Sequence, residues 1–364
     1  MHIAFFTSSL PEPNRKPGGV DVHVERLAQR LAARGHRLDL YTFSPPVGDR
    51  AYNHIQLWPV GLRYSKVARS TLLPLLLNRL RPTADVLHLH GDDWFYVHRT
   101  LPTVRTFYGS ALMEAIHATR LRRRVYCSTV FLLEILASRL ATASYDIAPG
   151  QGRIYRTIGT LPPAVEPPYA ALPRATRPTI LFIGTWEGRK RGRMLAEIFS
   201  REVLPRIPAA RLVMVSDHVE PAAGIEHVPR PSNKQLAALL SEAWVMCLPS
   251  SYEGFGIPYA EAMAAGTPVV ATPNVGSRYV LDDGRAGVIC SEQELGTVLI
   301  QVLTDEPLRA ALARRGAERV SEFAWERVLC SHEAAYEKAL TVGTPPPRPR
   351  SFPTVWTIKE RGRR

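Results

Sequence analysis

Long apolar runs are the first thing missing from this chain. The richest, Leu72-Leu73-Pro74-Leu75-Leu76-Leu77, is short and broken by proline, below the ~18 residues that a membrane-spanning helix needs. Cysteine is scarce as well: Cys127, Cys247, Cys290 and Cys330 lie far apart among 364 residues. Cys247 falls inside a run that reads as a buried strand, so a disulfide frame or a metal knuckle is not expected, and the thiols read as reduced. Acidic residues are outnumbered, 33 against 46 Lys plus Arg, leaving a net charge of +13 that is almost wholly arginine. The opening residues Met1 to Phe6 read as a strand, without a basic leader or small-residue cleavage site. The expected location is the cytoplasm, with peripheral contact at the inner face of the cell membrane.

What is present, 45% hydrophobic and 22% charged residues, suits folded domains with solid cores, and the length suits two of them. Arginine clusters at residues 120–124, 189–193 and 361–364. No nucleic-acid recognition module accompanies them and no aromatic residues interleave with them, so nucleic acid is not an expected partner. Attraction to an anionic membrane or an acidic acceptor is one reading of the charge. A plainly arginine-rich composition is the other, and it covers the scatter outside the middle cluster.

Period and punctuation divide the chain. Strand patterns over residues 2–8, 37–43, 86–89, 103–107 and 144–148 alternate with helical patterns over 20–34, 66–81, 110–118 and 130–139. A proline- and alanine-dense stretch gives a linker at 166–178, after a first domain of 1–165. The alternation restarts over 179–324: strands at 179–184, 212–216, 243–248 and 269–272, helices at 194–204, 234–242, 292–304 and 308–322. An amphipathic segment, 325–340, is a helix able to pack back on the first domain, and the Pro/Arg tail 341–364 reads as disordered. The expected fold class is α/β, two doubly wound Rossmann-like domains facing across a cleft.

The most informative stretch runs from Pro249 to Gly266, with Glu253 and Glu261 inside it. An apolar strand ends at Pro249, and Gly254 and Gly256 let the backbone turn tightly and approach a ligand. A helix then starts near Pro258 and stops at Gly266. Such a strand–loop–helix unit aims unpaired amides at its loop, a natural anion site. Glu253 falls in the loop and Glu261 about one turn into the helix.

Three further loops carry chemistry. Gly18 and Gly19 precede the first helix and leave backbone amides facing a cleft. Residues 184–193 form a glycine- and arginine-rich loop in which Arg189, Lys190 and Arg191 are fixed cations suited to an anionic ligand. His88-Leu89-His90-Gly91-Asp92-Asp93 closes a strand. His88 reads as a core histidine and His90 as facing the cleft, and the Asp92-Asp93 spacing does not suit a metal.

The 253–261 run resembles the Glu-x7-Glu signature of the retaining GT-B glycosyltransferases, most closely glycosyltransferase family 4 (glycosyl transferases group 1). The resemblance extends over about residues 1–335, strongest from Thr179 to Gly287. It implies that Glu253 sits beside a donor sugar, that Glu261 holds a nucleotide ribose, and that Gly254, Phe255, Gly256 and Ile257 contact donor hydroxyls and phosphate. It implies that Gly18 and Gly19 face the donor phosphate and acceptor. Two positions depart from the family pattern: Thr185 stands where an Arg is usual, and Tyr108, in Thr106-Phe107-Tyr108-Gly109, stands where a His contacts the sugar. Gly276, in Pro273–Arg278, matches a Gly-rich turn.

The function so implied is transfer of a sugar from a UDP- or GDP-linked α-sugar to a glycan, glycolipid or small-molecule hydroxyl, with retention. No cofactor and no metal are expected beyond the nucleotide-sugar co-substrate. The alternatives are an impaired GT-B protein that binds nucleotide-sugar, or a GT-B phosphorylase or epimerase.

Overall fold

The computed structural model describes residues 1–13, 18–57, 75–76, 78–79, 82–118, 120–150, 152–166 and 173–343. The helix expected over 66–81 and the tail beyond 343 lie almost wholly outside them, as does the middle of the linker.

Two all-parallel sheets carry the chain. The first has seven strands in the order β3-β2-β1-β4-β5-β6-β7. These are β1 His2–Phe6, β2 Arg37–Thr42, β3 Asn53–Gln56, β4 Val86–Leu89, β5 Thr103–Phe107, β6 Ala143–Asp146 and β7 Thr157–Thr160. The second has six, in the order β10-β9-β8-β11-β12-β13. They are β8 Thr179–Ile183, β9 Arg211–Val215, β10 Ile225–Val228, β11 Val245–Leu248, β12 Val269–Ala271 and β13 Val288–Ile289. Each order reverses direction beside its first strand, between β1 and β4 and again between β8 and β11. Doubly wound sheets open a ligand crevice at that point, beyond the carboxyl ends of the strands.

The central strands are buried from end to end, as in Val86–Leu89 and Val245–Leu248, because helices cover both faces. β3, β7 and β10 are not expected from the sequence, and neither is the two-residue β13. They are short, partly exposed edge strands, each paired on one side only, so no apolar run marks them. The Leu121–Leu140 helix also starts well before the residue 130 expected, since its first turns bury little and carry no apolar period facing a core.

The second domain has its own core, built around Phe182, Phe199, Met246 and Val270. The C-terminal helix, Trp325–Val342, leaves that domain and packs on the first: Trp325, Leu329, Tyr336 and Ala339 join the cluster of Phe5, Val24, Leu27 and Val104. Arg34 reaches both Glu326 and Glu333 across the same contact. One helix therefore ties the two lobes together.

Candidate functional site

The loops after β8 and β11, on either side of the second switch point, meet at a cleft of about 380 Å³ between the domains. From the β11 loop comes Glu253, 5% exposed. From the β8 loop come Lys190, with Nζ 2.6 Å from Glu253 Oε1, and Arg189, whose Nη1 donates at 2.8 Å to that same oxygen and at 2.8 Å to the Tyr252 carbonyl. Burial pushes the Glu253 carboxyl up, but Lys190 and Arg189 outweigh it and hold it below the usual carboxylate range. Burial likewise pulls the Lys190 ammonium below its usual value, with Glu253 opposing.

The loop reaches this geometry through its glycines. Gly256 has φ +90, and a Cβ there would meet the Tyr259 ring at 2.2 Å. Beneath the loop, Gly276 donates its amide to the Glu253 carbonyl at 3.0 Å and lies so close that a Cβ would come within 2.4 Å of the Phe255 oxygen. Residues 273–278, expected as a turn, include the start of the short helix Val275–Val280, capped by Asn274 and seated against the loop. The following helix, Ile257–Ala264, points its N-terminus at the cleft, and Gly254, Phe255, Gly256 and Ile257 all line it. The amides of Gly254, Phe255 and Gly256 donate to no other described residue, which leaves them for a ligand.

The first domain closes over this floor. A Cβ on Gly19 would touch the Ile257 side chain at 3.4 Å, and Gly18 just before it is the N-cap of the Gly19–Ala33 helix. A Cβ on Gly254 would fall 2.9 Å from the Tyr108 carbonyl. The Ser110 amide donates to the Tyr252 hydroxyl at 2.9 Å, and the His117 and Tyr252 rings stack. Gly19, Tyr108 and Glu114 line the cleft from this side, together with His23.

Several expected residues fall elsewhere. His90 does not face the cleft: it is 5% exposed, packed on His88 and capped by the Tyr108 hydroxyl at 2.7 Å from its Nδ1. The bulk of a tyrosine at 108 closes off the ring behind it. His23, as buried as His90, is the histidine that lines the cleft instead; its residue type and its place one turn into the helix after Gly18-Gly19 are the only signal of this in the sequence. Arg191 parts from Arg189 and Lys190, because its backbone turns left-handed at φ 59 and its guanidinium pairs with Glu292. Thr185 lies outside the cleft lining and donates to the Glu187 carbonyl at 2.8 Å. Glu261 is half-buried and also outside that lining; burial pushes its carboxyl up to about 7, with Arg26 of the first domain opposing.

Behind Tyr108 lies a group of four buried histidines, His23, His88, His90 and His332. His88 is held by the Tyr336 and Thr106 hydroxyls at 2.9 and 2.8 Å, and His332 by the Val328 carbonyl at 2.8 Å. Burial is the main cause that lowers His23 to about 3 and His332 to about 4, and it carries His88 and His90 well below their usual value. Asp93 is engaged in the core by Arg99 and Arg105, at 2.9 and 2.7 Å. Among the described residues no cluster of three or more His, Cys, Asp or Glu is arranged to hold a metal ion.

Comparison with known proteins places this architecture. The family descriptions "Glycosyltransferase Family 4" and "Glycosyl transferases group 1" match residues 17–142 and 177–305 respectively. The chain is 29% identical to the phosphatidyl-myo-inositol mannosyltransferase of Mycobacterium leprae, over 90% of this chain and 95% of that one. It is 27% identical to the GDP-mannose:cellobiosyl-diphosphopolyprenol alpha-mannosyltransferase of Xanthomonas oryzae pv. oryzae, over 89% and 94%. Among solved structures, sucrose-phosphate synthase from Thermosynechococcus elongatus superposes with a TM-score of 0.76 at 20% identity, covering 94% of this chain and 99% of that one. The chain is a GT-B glycosyltransferase, a family 4 unit followed by a glycosyl transferases group 1 unit.

Proposed function

We propose that the protein transfers a sugar, with retention of configuration, from a nucleotide-diphosphate α-sugar to an acceptor hydroxyl. The observation that carries this reading is the convergence of Lys190 and Arg189 on Glu253 beside the free amides of residues 254–256. A diphosphate fits that arrangement, since two fixed cations and a helix N-terminus stabilise the charge that develops on the leaving group. Glu253 then contacts the sugar. Glu261 holds the ribose on the far side of the loop, where its carboxyl faces Arg26.

Departure of the diphosphate leaves an oxocarbenium-like centre. Its own departing phosphate oxygen takes the acceptor proton on the same face, so the α configuration persists and no protein base is required. That role would be poorly served by Tyr108 in any case, because burial raises its phenol further. Arg189 and Lys190 supply the charge that a metal would otherwise provide, so turnover in EDTA should match turnover without it. The acceptor enters over Gly19 and His23.

GDP-mannose is the first donor to test, because two relatives are named as mannosyltransferases and one of those names includes that donor. A panel of UDP- and GDP-sugars read by thermal shift identifies the cognate donor, since excess ligand raises apparent stability by mass action. Release of the nucleoside diphosphate from that donor then supports transfer. A thermal shift with no release under any condition would instead support the nucleotide-sugar-binding alternative.

A further inference from the structure

We propose that the outward face of the Leu121–Leu140 helix docks the protein on an anionic lipid surface. Leu121, Val125, Leu132 and Leu136 are 75%, 60%, 65% and 43% exposed. Their spacing of four, seven and four residues sets them in one stripe on a helix roughly 30 Å long. Half of the exposed large apolar side chains among the described residues lie on this helix or beside it at Ile116. Such side chains scattered singly are ordinary, but a contiguous stripe marks an interaction surface. The stripe does not face the core, because Cys127, Ala137 and Ser138 are the buried residues of this helix. Its single acid, Glu134, is turned inward to the Tyr155 hydroxyl and the Ala111 amide.

Charge identifies the occupant. Arg120, Arg122, Arg123 and Arg124 are all exposed and crowd the N-terminal end, where the first turn holds no acid and no side chain caps the helix. Cations placed there oppose the helix dipole, and lipid phosphates would offset both. A second copy of the same face would offer these arginines no carboxylate, since Glu134 is turned inward, which favours lipid over self-association. The surface also adjoins the cleft. Arg123 pairs at 3.2 Å with Glu114, which lines the cleft wall. That proximity suits a lipid-linked acceptor, a consequence that rests on the transferase reading; the docking does not.

The test is flotation of the full chain with phosphatidylcholine vesicles, with and without phosphatidylglycerol. Wild type should float with the anionic vesicles at low salt and be released at high salt. The pairs Leu132→Ser with Leu136→Ser, and Arg122→Glu with Arg124→Glu, should each cut the bound fraction about tenfold or more. Both should keep the wild-type melting temperature and the wild-type rate of nucleotide release in solution. Wild type that stays unbound at low salt, or pairs that float like wild type, would overturn the proposal. A doubled mass in sedimentation that the Leu132→Ser, Leu136→Ser pair returns to a monomer would assign the stripe to a second copy instead. Because flotation reads no chemistry, it fails independently of the proposed reaction.

Discussion

Lys190 holds its ammonium 2.6 Å from the Glu253 carboxylate although the two come from different loops, one after β8 and the other after β11. Their strands are adjacent in the second sheet only because the strand order reverses there. Each charge is largely shielded from water, so each depends on the other for its ionised form.

Removing one partner should therefore affect chemistry before binding. Glu253→Gln is expected to lower turnover about a hundredfold while the donor dissociation constant changes little. Lys190→Met should cost a similar factor and also leave Glu253 short of a counter-charge, with a loss of about 2 kcal/mol in chemical denaturation. Steady-state kinetics and donor titration on the same preparations separate the two effects. Equal losses in both would argue that Glu253 binds and does no more.

The floor of the loop makes a second demand. In Gly276→Ala the new methyl clashes both with the Phe255 carbonyl, 2.4 Å from its ideal position, and with the Glu253 Cβ at 2.9 Å. Overpacking of this kind should destabilise by about 1–3 kcal/mol and should also suppress turnover, because the strain falls on the residue that carries Glu253. A variant with wild-type stability and rate would mean that the loop has room that the packing does not reveal.

Tyr108→Phe tests the closed position of His90. The change removes the hydroxyl 2.7 Å from His90 Nδ1, and His90 Nε2 already has no partner among the described residues. An unpartnered buried ring should cost about 1–3 kcal/mol. Tyr108→His, which restores the residue usual in the family, shortens the side chain and should open His90 to the cleft.

The carboxyl of Glu261 gives the free protein a pH signature. Its value is raised to about 7 from 4.5, so its contribution to stability is fully present below about 4.5 and is lost as pH rises through 7. Glu261→Gln should flatten that part of the melting-temperature profile, and saturating donor should change it as well if the ribose occupies this carboxylate. The buried histidines act in the opposite direction. His23 and His332, lowered to about 3 and 4, stabilise fully above 6.5 and progressively less as pH falls through those values. Melting temperature should peak between the two trends, and His332→Gln should soften its acid side.

Much was legible in the chain before any coordinates. Buried parallel strands such as β1 and β11 announce themselves as apolar runs, and β4 and β5 match their expected bounds although His88 and Arg105 interrupt them. Glu253 with its flanking glycines was legible too, since only glycine serves a loop turning at φ +90 against a tyrosine ring. Edge strands such as β3 and β10 were not. One side of each is unpaired and their burial is partial, so no local pattern separates them from loop.

Direction was the harder matter. Arg189, Lys190 and Arg191 are consecutive, and nothing local says that the first two turn to Glu253 while a left-handed backbone swings the third to Glu292. His88 on β4 and His90 just past its end are likewise two residues apart, and it is Tyr108 on the neighbouring loop that seals His90 away from the cleft. Residue types and periods are properties of neighbours along the chain, so they set the elements and the chemistry on offer. Which side chains confront one another across a cleft depends on contacts between segments far apart in sequence, and only the packed domains supply those.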